Sequence, residues 1–452
     1  MNSIEEHAEF LENKRKHILM ITNHGIHEWE VIPGLTDTGG QNVYVNYFTQ
    51  AMTKIGYKVT ITNRGGYPHP QTAEIRQGLD YKDESQRILY LEDEVKEFVR
   101  KEDMAERIPQ LAHFLQGFLK EEGSQVDLVI SHYWDGAKLG CSFIEAISDK
   151  IRHFWVPHSV GTVKKRNVHQ KNWENLRIAE RIEIEKQIIK TIDGAAATST
   201  VIREALQNDY GCGNILFLPP CIDTDRFYPR DVPENHKIWD FLSEHSGLSA
   251  AAIKRRNIVT EISRTDTTKR KNVVIQSFSR ALKVAPQSFL VLAIDNAQKE
   301  LFSELTGLIE TLNIAENVAV VGSIWDLLPW VYGITDVYIS PSVMEGFGMA
   351  VQEAAATKAP IIASDLIPFA VEYLLGENPE QAISDSGSQL LVGDGAIVVE
   401  SDDITGFSDA LKQLLTDEKR RKEMGENAYS ITIPYFTWQN MVKKFLEDIK
   451  FS

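Results

Sequence analysis

The 452-residue sequence predicts an α/β protein made of two doubly wound parallel-sheet domains facing a cleft. Three observations lead there. Short apolar, β-rich runs alternate with longer amphipathic stretches along the whole chain, the pattern of parallel strands covered by helices. The runs form two groups of similar extent, with a proline-rich segment between them. At roughly 100–200 residues per domain, the length also calls for two or three domains rather than one.

In the first group the strand candidates are Ile18 to Thr22, Lys58 to Asn63, Arg87 to Leu91, Asp127 to Ser131, His153 to Val156, Gly194 to Thr198 and Ile215 to Leu218. In the second they are Ile258 to Ile262, Phe289 to Ile294, Asn317 to Val321, Asp336 to Ser340, Pro360 to Ala363 and Ala396 to Val399. Each is short and mostly apolar, as a strand buried on both faces must be. Between the groups, Leu218 to Pro233 carries four prolines, which remove backbone donors, and several aspartates, which favour turns. The hinge is therefore placed there. Each side suits a Rossmann-like sheet, giving an earlier domain over 1–225 and a later one over 226–436, with the cleft between them as the default ligand site. The amphipathic segment 437–452 is expected to pack back on the earlier domain.

Composition narrows the partners. Hydrophobic residues make up 43% and charged residues 25%, which is ordinary globular chemistry and excludes a disordered tail or fibre. With 48 Lys+Arg against 64 Asp+Glu, the net charge is −16, so nucleic acid and anionic membranes are not expected partners. Cys141, Cys212 and Cys221 form no C-x-x-C pair, which leaves no disulfide framework or cysteine-rich zinc site. The first residues are acidic, and no apolar run approaches the roughly 18 residues of a membrane span. A cytoplasmic protein without membrane insertion is expected, and its oligomeric state is left open.

The most specific motif is Pro341-Ser-Val-Met-Glu-Gly-Phe-Gly-Met-Ala-Val-Gln-Glu, directly after the strand ending at Ser340. Gly346 and Gly348 permit a tight turn, and an alanine-rich helix from about Met349 to Thr357 follows. The free amides of Met349 and Ala350 at its start suit a phosphate. Glu353, placed in the first turn, is then able to accept from both hydroxyls of a ribose, and Glu345 stands beside whatever the far phosphate carries. The plainer alternative makes Glu345 a cap partner and Glu353 part of a solvated face. Upstream, Gly39 and Gly40 precede a helix, where backbone amides approach a diphosphate because no Cβ intervenes. Lys164, Lys165 and Arg166 are a candidate receptor for an acceptor phosphate. Asp223-Thr-Asp225 sits among prolines and reads as a turn rather than a metal site, so no metal and no cofactor beyond the donor nucleotide is expected. Gly346-Phe-Gly348 lacks the third glycine of a dinucleotide fingerprint, and Asn-His-Gly-Ile-His after the first strand does not supply one.

Two glutamates separated by seven residues on a strand–turn–helix resemble the donor site of the retaining glycosyltransferases of family 4, whose fold is the B type (GT-B). The resemblance is closest to the sucrose-phosphate synthase branch, through Asp37-Thr-Gly-Gly-Gln41, Ser131-His-Tyr-Trp-Asp-Gly136 and Pro157-His-Ser-Val-Gly161. It implies that the earlier domain binds an acceptor and the later one the donor, that His158 contacts the donor hexose, that Phe347 belongs to the donor site, and that Gln41, His132, Asp135 and Arg181 serve the acceptor. Arg181 and Glu185 also suit a plain i, i+4 ion pair. In Glu261-Ile-Ser-Arg264-Thr-Asp-Thr-Thr-Lys269-Arg-Lys271, the resemblance implies an arginine and a lysine that neutralise the leaving diphosphate. Arg264 aligns; the loop is two residues longer than usual, which leaves Lys271 or Lys269 as its partner. The implied activity is a metal-independent, retaining hexosyl transfer from a nucleotide sugar, first of all UDP-glucose to fructose 6-phosphate. Transfer from a GDP- or ADP-sugar to a glycerate, phosphoglycerate or polyol is the alternative. A silent nucleotide-sugar-binding domain is the reading from a different class.

Overall fold

The computed structural model describes residues 3–30, 35, 37–147, 150–322 and 324–451. Thr36, just ahead of the Asp37 string, lies outside the described residues, as do Met1, Asn2 and Ser452 at the ends of the predicted domains. The chain divides into two compact units, Met1–Pro220 with Trp438–Ser452, and Cys221–Thr437. The division falls at Pro220 and not at 225 because Ile222 is tied into the later unit: its N–H donates to the Phe436 carbonyl at 2.7 Å. The C-terminal segment belongs to the earlier unit as the helix Trp438–Asp448. Its Trp438 ring meets Tyr44 at 4.7 Å, and Phe445 lies 5.9 Å from both Phe48 and Phe154.

The earlier unit holds β1 (His17–Ile21), β2 (Lys58–Arg64), β3 (Gly78–Asp83), β4 (Gln86–Leu91), β5 (Leu128–His132), β6 (Arg152–Val156), β7 (Gly194–Ala197) and β8 (Ile215–Phe217). They pair in the order β3-β4-β2-β1-β5-β6-β7-β8, all parallel except β3 against β4. The later unit holds β9 (Asn257–Glu261), β10 (Ser288–Ala293), β11 (Val318–Val321), β12 (Val337–Ser340), β13 (Ile361–Ser364), β14 (Glu380–Ile383), β15 (Gln389–Val392) and β16 (Ala396–Val399). Their order is β11-β10-β9-β12-β13-β16-β15-β14, with β15 antiparallel to both β14 and β16. Without the antiparallel additions, each sheet runs outward in both directions from its first strand. The switch points therefore lie between β1 and β5 and between β9 and β12, where ligands settle outside the carboxyl ends of the strands.

The opposite ends of the strands are pinned by aspartates. Asp127, Asp193 and Asp336 each stand just ahead of a strand and accept a backbone N–H from the neighbouring strand, from His17 at 2.7 Å, His153 at 2.7 Å and Ile258 at 2.8 Å. These bonds set the register that carries each loop at the other end to its place. Among the described residues, no helix is long and apolar enough to cross a membrane.

Candidate functional site

In the later unit the loops after β9 and β12 are joined, since Val343 N–H donates to the Thr268 carbonyl at 2.9 Å. The β9 loop winds through a 3-10 turn at Thr267–Lys269, where the Asp266 carboxylate accepts from Thr268 N–H at 2.9 Å. Arg270 takes φ 53° before the helix Lys271–Leu282 begins. This kink sends the two lysines apart. Lys269 Nζ donates to Glu345 Oε1 at 2.5 Å. Lys271 turns inward and donates to Glu261 Oε2 at 2.5 Å, and both of those side chains are 1% exposed. Burial pulls the Lys271 ammonium below its usual range, and the Glu261 charge opposes the shift. Of the two lysines left open by the sequence, Lys269 is the one beside Glu345, because the longer loop carries Lys271 into the helix and against Glu261 at the end of β9. Arg264 is 88% exposed at the loop tip, with Asp266 4.0 Å away.

The helix Met349–Ala355 begins at Gly348, where φ is 106° and a Cβ would lie 2.6 Å from Ile367 Cγ2. Only glycine fits there. Gly346 differs, since a Cβ on it would meet nothing within 4 Å. The N–H groups of Met349 and Ala350 open the helix and have no carbonyl a turn earlier to bond. Glu353 stands one turn on, in the second turn rather than the first. It is half-buried, and Tyr332 O–H donates to its Oε2 at 3.3 Å. Burial lifts its carboxyl to about 7, against the nearby Arg226 charge and the Tyr332 bond, which lower it. Phe347 is 3% exposed and packs on Phe369, Tyr373 and Phe436. Its ring belongs to the core and not to a donor site: in a turn of two glycines it is the apolar anchor.

In the earlier unit the loops after β1, β5 and β6 converge. His158 takes φ 54°, and its Nε2 lies 3.0 Å from His132 Nδ1 in a hydrogen bond. Burial lowers His158 to about 3 and holds His132 well below its usual value, which favours the neutral form of both rings. His132 and Asp135 are 0% exposed. This corrects the expectation that they meet an acceptor: His132 stands behind His158, and Asp135 accepts from His24 N–H at 3.1 Å and His24 Nδ1 at 2.9 Å. Arg181 is likewise enclosed, donating to Glu185 at 2.7 Å, the Tyr133 hydroxyl at 2.6 Å and the Ser159 carbonyl at 2.6 Å. The pair with Glu185 is thus a buried one that braces the β5 and β6 loops.

Gly39 and Gly40 leave open space where a Cβ would stand. The Gly39 amide is already taken by Asn42 Oδ1 at 3.0 Å, so of the two glycines it is Gly40 that brings a free helix-opening amide. Gln41 follows it, half-buried in the first turn. The basic triplet separates because successive helical residues point about 100° apart. Lys164 borders a pocket lined by Glu102, Tyr133, Trp134, Arg177 and Arg181; Lys165 lies 5.0 Å from the Trp173 ring; Arg166 pairs with Asp209 at 2.5 Å. Lys164 alone of the three therefore stays available to that pocket.

Sequence reasoning missed Lys101, whose ammonium pairs with Asp37. Burial would raise the Asp37 carboxyl, yet the bond and charge of Lys101 hold it below its usual range. It also missed His24 and Tyr332. Lys101 lies in a short 3-10 segment far from any motif, and Tyr332 reads as one more core aromatic; His24, three residues past β1, is the one the position signalled. Asp223 and Asp225 form a turn, with Asp225 N–H donating to Asp223 Oδ1 at 3.0 Å. Among the described residues, no three His, Cys, Asp or Glu side chains group to hold a metal ion.

Comparison with known proteins matches residues 38–226 to the model of Glycosyltransferase Family 4 and residues 249–431 to that of Glycosyl transferases group 1. A mannosylfructose-phosphate synthase of Agrobacterium fabrum is 27% identical over 362 residues, covering 77% of this chain and 76% of that relative. A D-inositol 3-phosphate glycosyltransferase of Corynebacterium jeikeium is 25% identical over 430 residues, 90% of each chain. Among solved structures, a sucrose-phosphate synthase from Thermosynechococcus elongatus superposes with a TM-score of 0.72 at 21% identity, over 96% of this chain and 98% of that one.

Proposed function

Because the chain belongs to the family 4 glycosyltransferases, and is thus a transferase of the B-type fold rather than a silent binding domain, we propose that it moves a hexosyl group from a nucleotide sugar to a phosphorylated sugar or cyclitol with retention of the α-configuration. UDP-glucose and fructose 6-phosphate are the first pair. The observation that carries this reading is the Lys269–Glu345 pair beside the helix start at Met349, a cation from the β9 loop set against a carboxylate and free amides of the β12 strand–turn–helix.

In this reading Arg264, Lys269 and the amides of Met349 and Ala350 take the growing charge of the diphosphate. Glu345 orients the hexose, held in place by Lys269, and Glu353 accepts from the ribose hydroxyls. The resemblance assigns His158 to the hexose. The C1–oxygen bond to the phosphate breaks as the acceptor hydroxyl oxygen bonds C1, and the departing phosphate oxygen takes the acceptor proton, leaving a nucleoside diphosphate. Lys101 and Lys164 receive the acceptor phosphate, each exchanging a carboxylate, Asp37 or Glu102, for it. The names of both curated relatives contain a phosphorylated sugar or cyclitol, which supports that class. The mannosyl group in the first name favours a second reading, transfer of mannose to the same class of acceptor.

The test is a matrix of UDP-glucose, ADP-glucose, GDP-glucose and GDP-mannose against fructose 6-phosphate, inositol 3-phosphate, fructose and glycerate, followed by diphosphate release and product NMR. An α-linked product on a phosphorylated acceptor is expected. A β-linked product, or turnover indifferent to the acceptor phosphate, contradicts the proposal.

A further inference from the structure

We infer that Tyr332 is a positioning residue for nucleotide recognition, holding Glu353 by a single hydrogen bond so that the carboxylate is left open to chelate a ribose diol. The inference rests on the proposed placement of the ribose at Glu353. Tyr332 lies on the helix Leu328–Gly333, 1% exposed, with its ring against Phe227 and Tyr338 at 5.8 Å each. Its hydroxyl donates to Glu353 Oε2 at 3.3 Å, and no other side chain among the described residues bonds that hydroxyl.

The identity of the donor matters. A carboxylate offers about four lone-pair sites, and a guanidinium forked across it takes both oxygens at once. A phenol takes one site and leaves the rest, which suits two vicinal hydroxyls arriving together. A guanidinium is at hand in Arg226, close enough for its charge to be felt at Glu353, yet it forms no ion pair there. Arg226 is held elsewhere: its guanidinium carbon lies 3.8 Å over the Trp325 ring, and it donates to the Trp325 carbonyl. Trp325 therefore keeps the competing cation off the carboxylate while Tyr332 fixes the carboxylate's rotamer.

The experiment measures binding of UDP, GDP and ADP and of their 2′-deoxy counterparts to the full-length protein and to Tyr332→Phe, which keeps the buried ring and removes only the hydroxyl. The wild type is expected to prefer the ribonucleotide. Tyr332→Phe should lose about tenfold in ribonucleotide affinity, the scale of one hydrogen bond to a charged group, with little loss for the deoxy form, so the preference shrinks. Glu353→Gln should erase the preference without touching the core, and adding Tyr332→Phe to it should cost nothing more. Equal losses for both nucleotides, or an intact preference in Tyr332→Phe, overturns the inference alone. No ribose preference in the wild type overturns the placement of the ribose and the inference together.

Discussion

At the scale of single residues, the two lysines of the β9 loop separate function from stability. Lys271 and Glu261 are buried as a pair, so Lys271→Met strands a carboxylate away from water and should cost about 3–5 kcal/mol of stability. Lys269 is 8% exposed and its partner Glu345 21%, so the carboxylate it leaves behind still reaches water, and Lys269→Ala should cost less stability than Lys271→Met while weakening both nucleoside diphosphate binding and turnover. Calorimetry and a binding titration on the two variants check this, and the reverse pattern would exchange their roles. Glu345→Ala should lower kcat on the order of a hundredfold or more with little change in nucleoside diphosphate affinity, since the contact proposed for its carboxylate is with the sugar rather than the phosphates. Glu353 gives a pH signature. Its carboxyl stands at about 7 in the folded protein against an ordinary 4.5, so the fold holds a proton there that the unfolded chain releases. That contribution is full below the ordinary value and is lost as pH rises through about 7. Stability of the wild type should therefore fall between pH 5 and pH 8 relative to Glu353→Gln, on the order of 1–3 kcal/mol. Parallel curves for the two proteins would show that burial does not hold the proton.

At the scale of elements, the two glycines of the β12 turn do different work. Gly348→Ala places a Cβ against Ile367 in a backbone region that disfavours it, so the helix start must shift and stability must drop. Gly346→Ala meets nothing in the fold and should leave melting unchanged, weakening only the approach of a ligand to the backbone. Circular dichroism melts with a nucleotide titration distinguish the two. The strand–turn–helix was readable because its buried strand is a continuous apolar run and its turn is spelled in glycines. The same holds for the parallel strands generally. The elements that went unread, β3, β14 and β15, are antiparallel additions with exposed or half-exposed residues, and they carry neither a clear alternation nor a continuous apolar run. Candidate residues were readable in the β12 turn as far as backbone geometry dictates them, at Gly348, and not at Phe347, whose ring turned into the core. They were misjudged in the Lys164 triplet, where helical rotation scattered neighbours, and in the Ser131–Gly136 string, where a motif histidine and aspartate turned inward to brace others.

At the scale of the whole molecule, a chain with net charge −16 must answer a diphosphate with local cations. Arg264 and Lys269 stand in the loop at the switch point of one sheet and are the cations proposed for this, and Lys101 and Lys164 lie beside the loops at the switch point of the other. Transfer is accordingly expected to persist in EDTA, and a strict demand for a divalent cation in the diphosphate-release assay would show that these groups do not suffice. The same sheet order in both units places every candidate loop at the carboxyl ends of strands, while the aspartates at the other ends fix register. The most direct test is a crystal structure with a bound nucleoside diphosphate sugar. The diphosphate should lie against Lys269, Arg264 and the amides of Met349 and Ala350, with both ribose hydroxyls on Glu353. A nucleotide bound away from the β9 and β12 loops, or a ribose that leaves Glu353 untouched, would contradict the account.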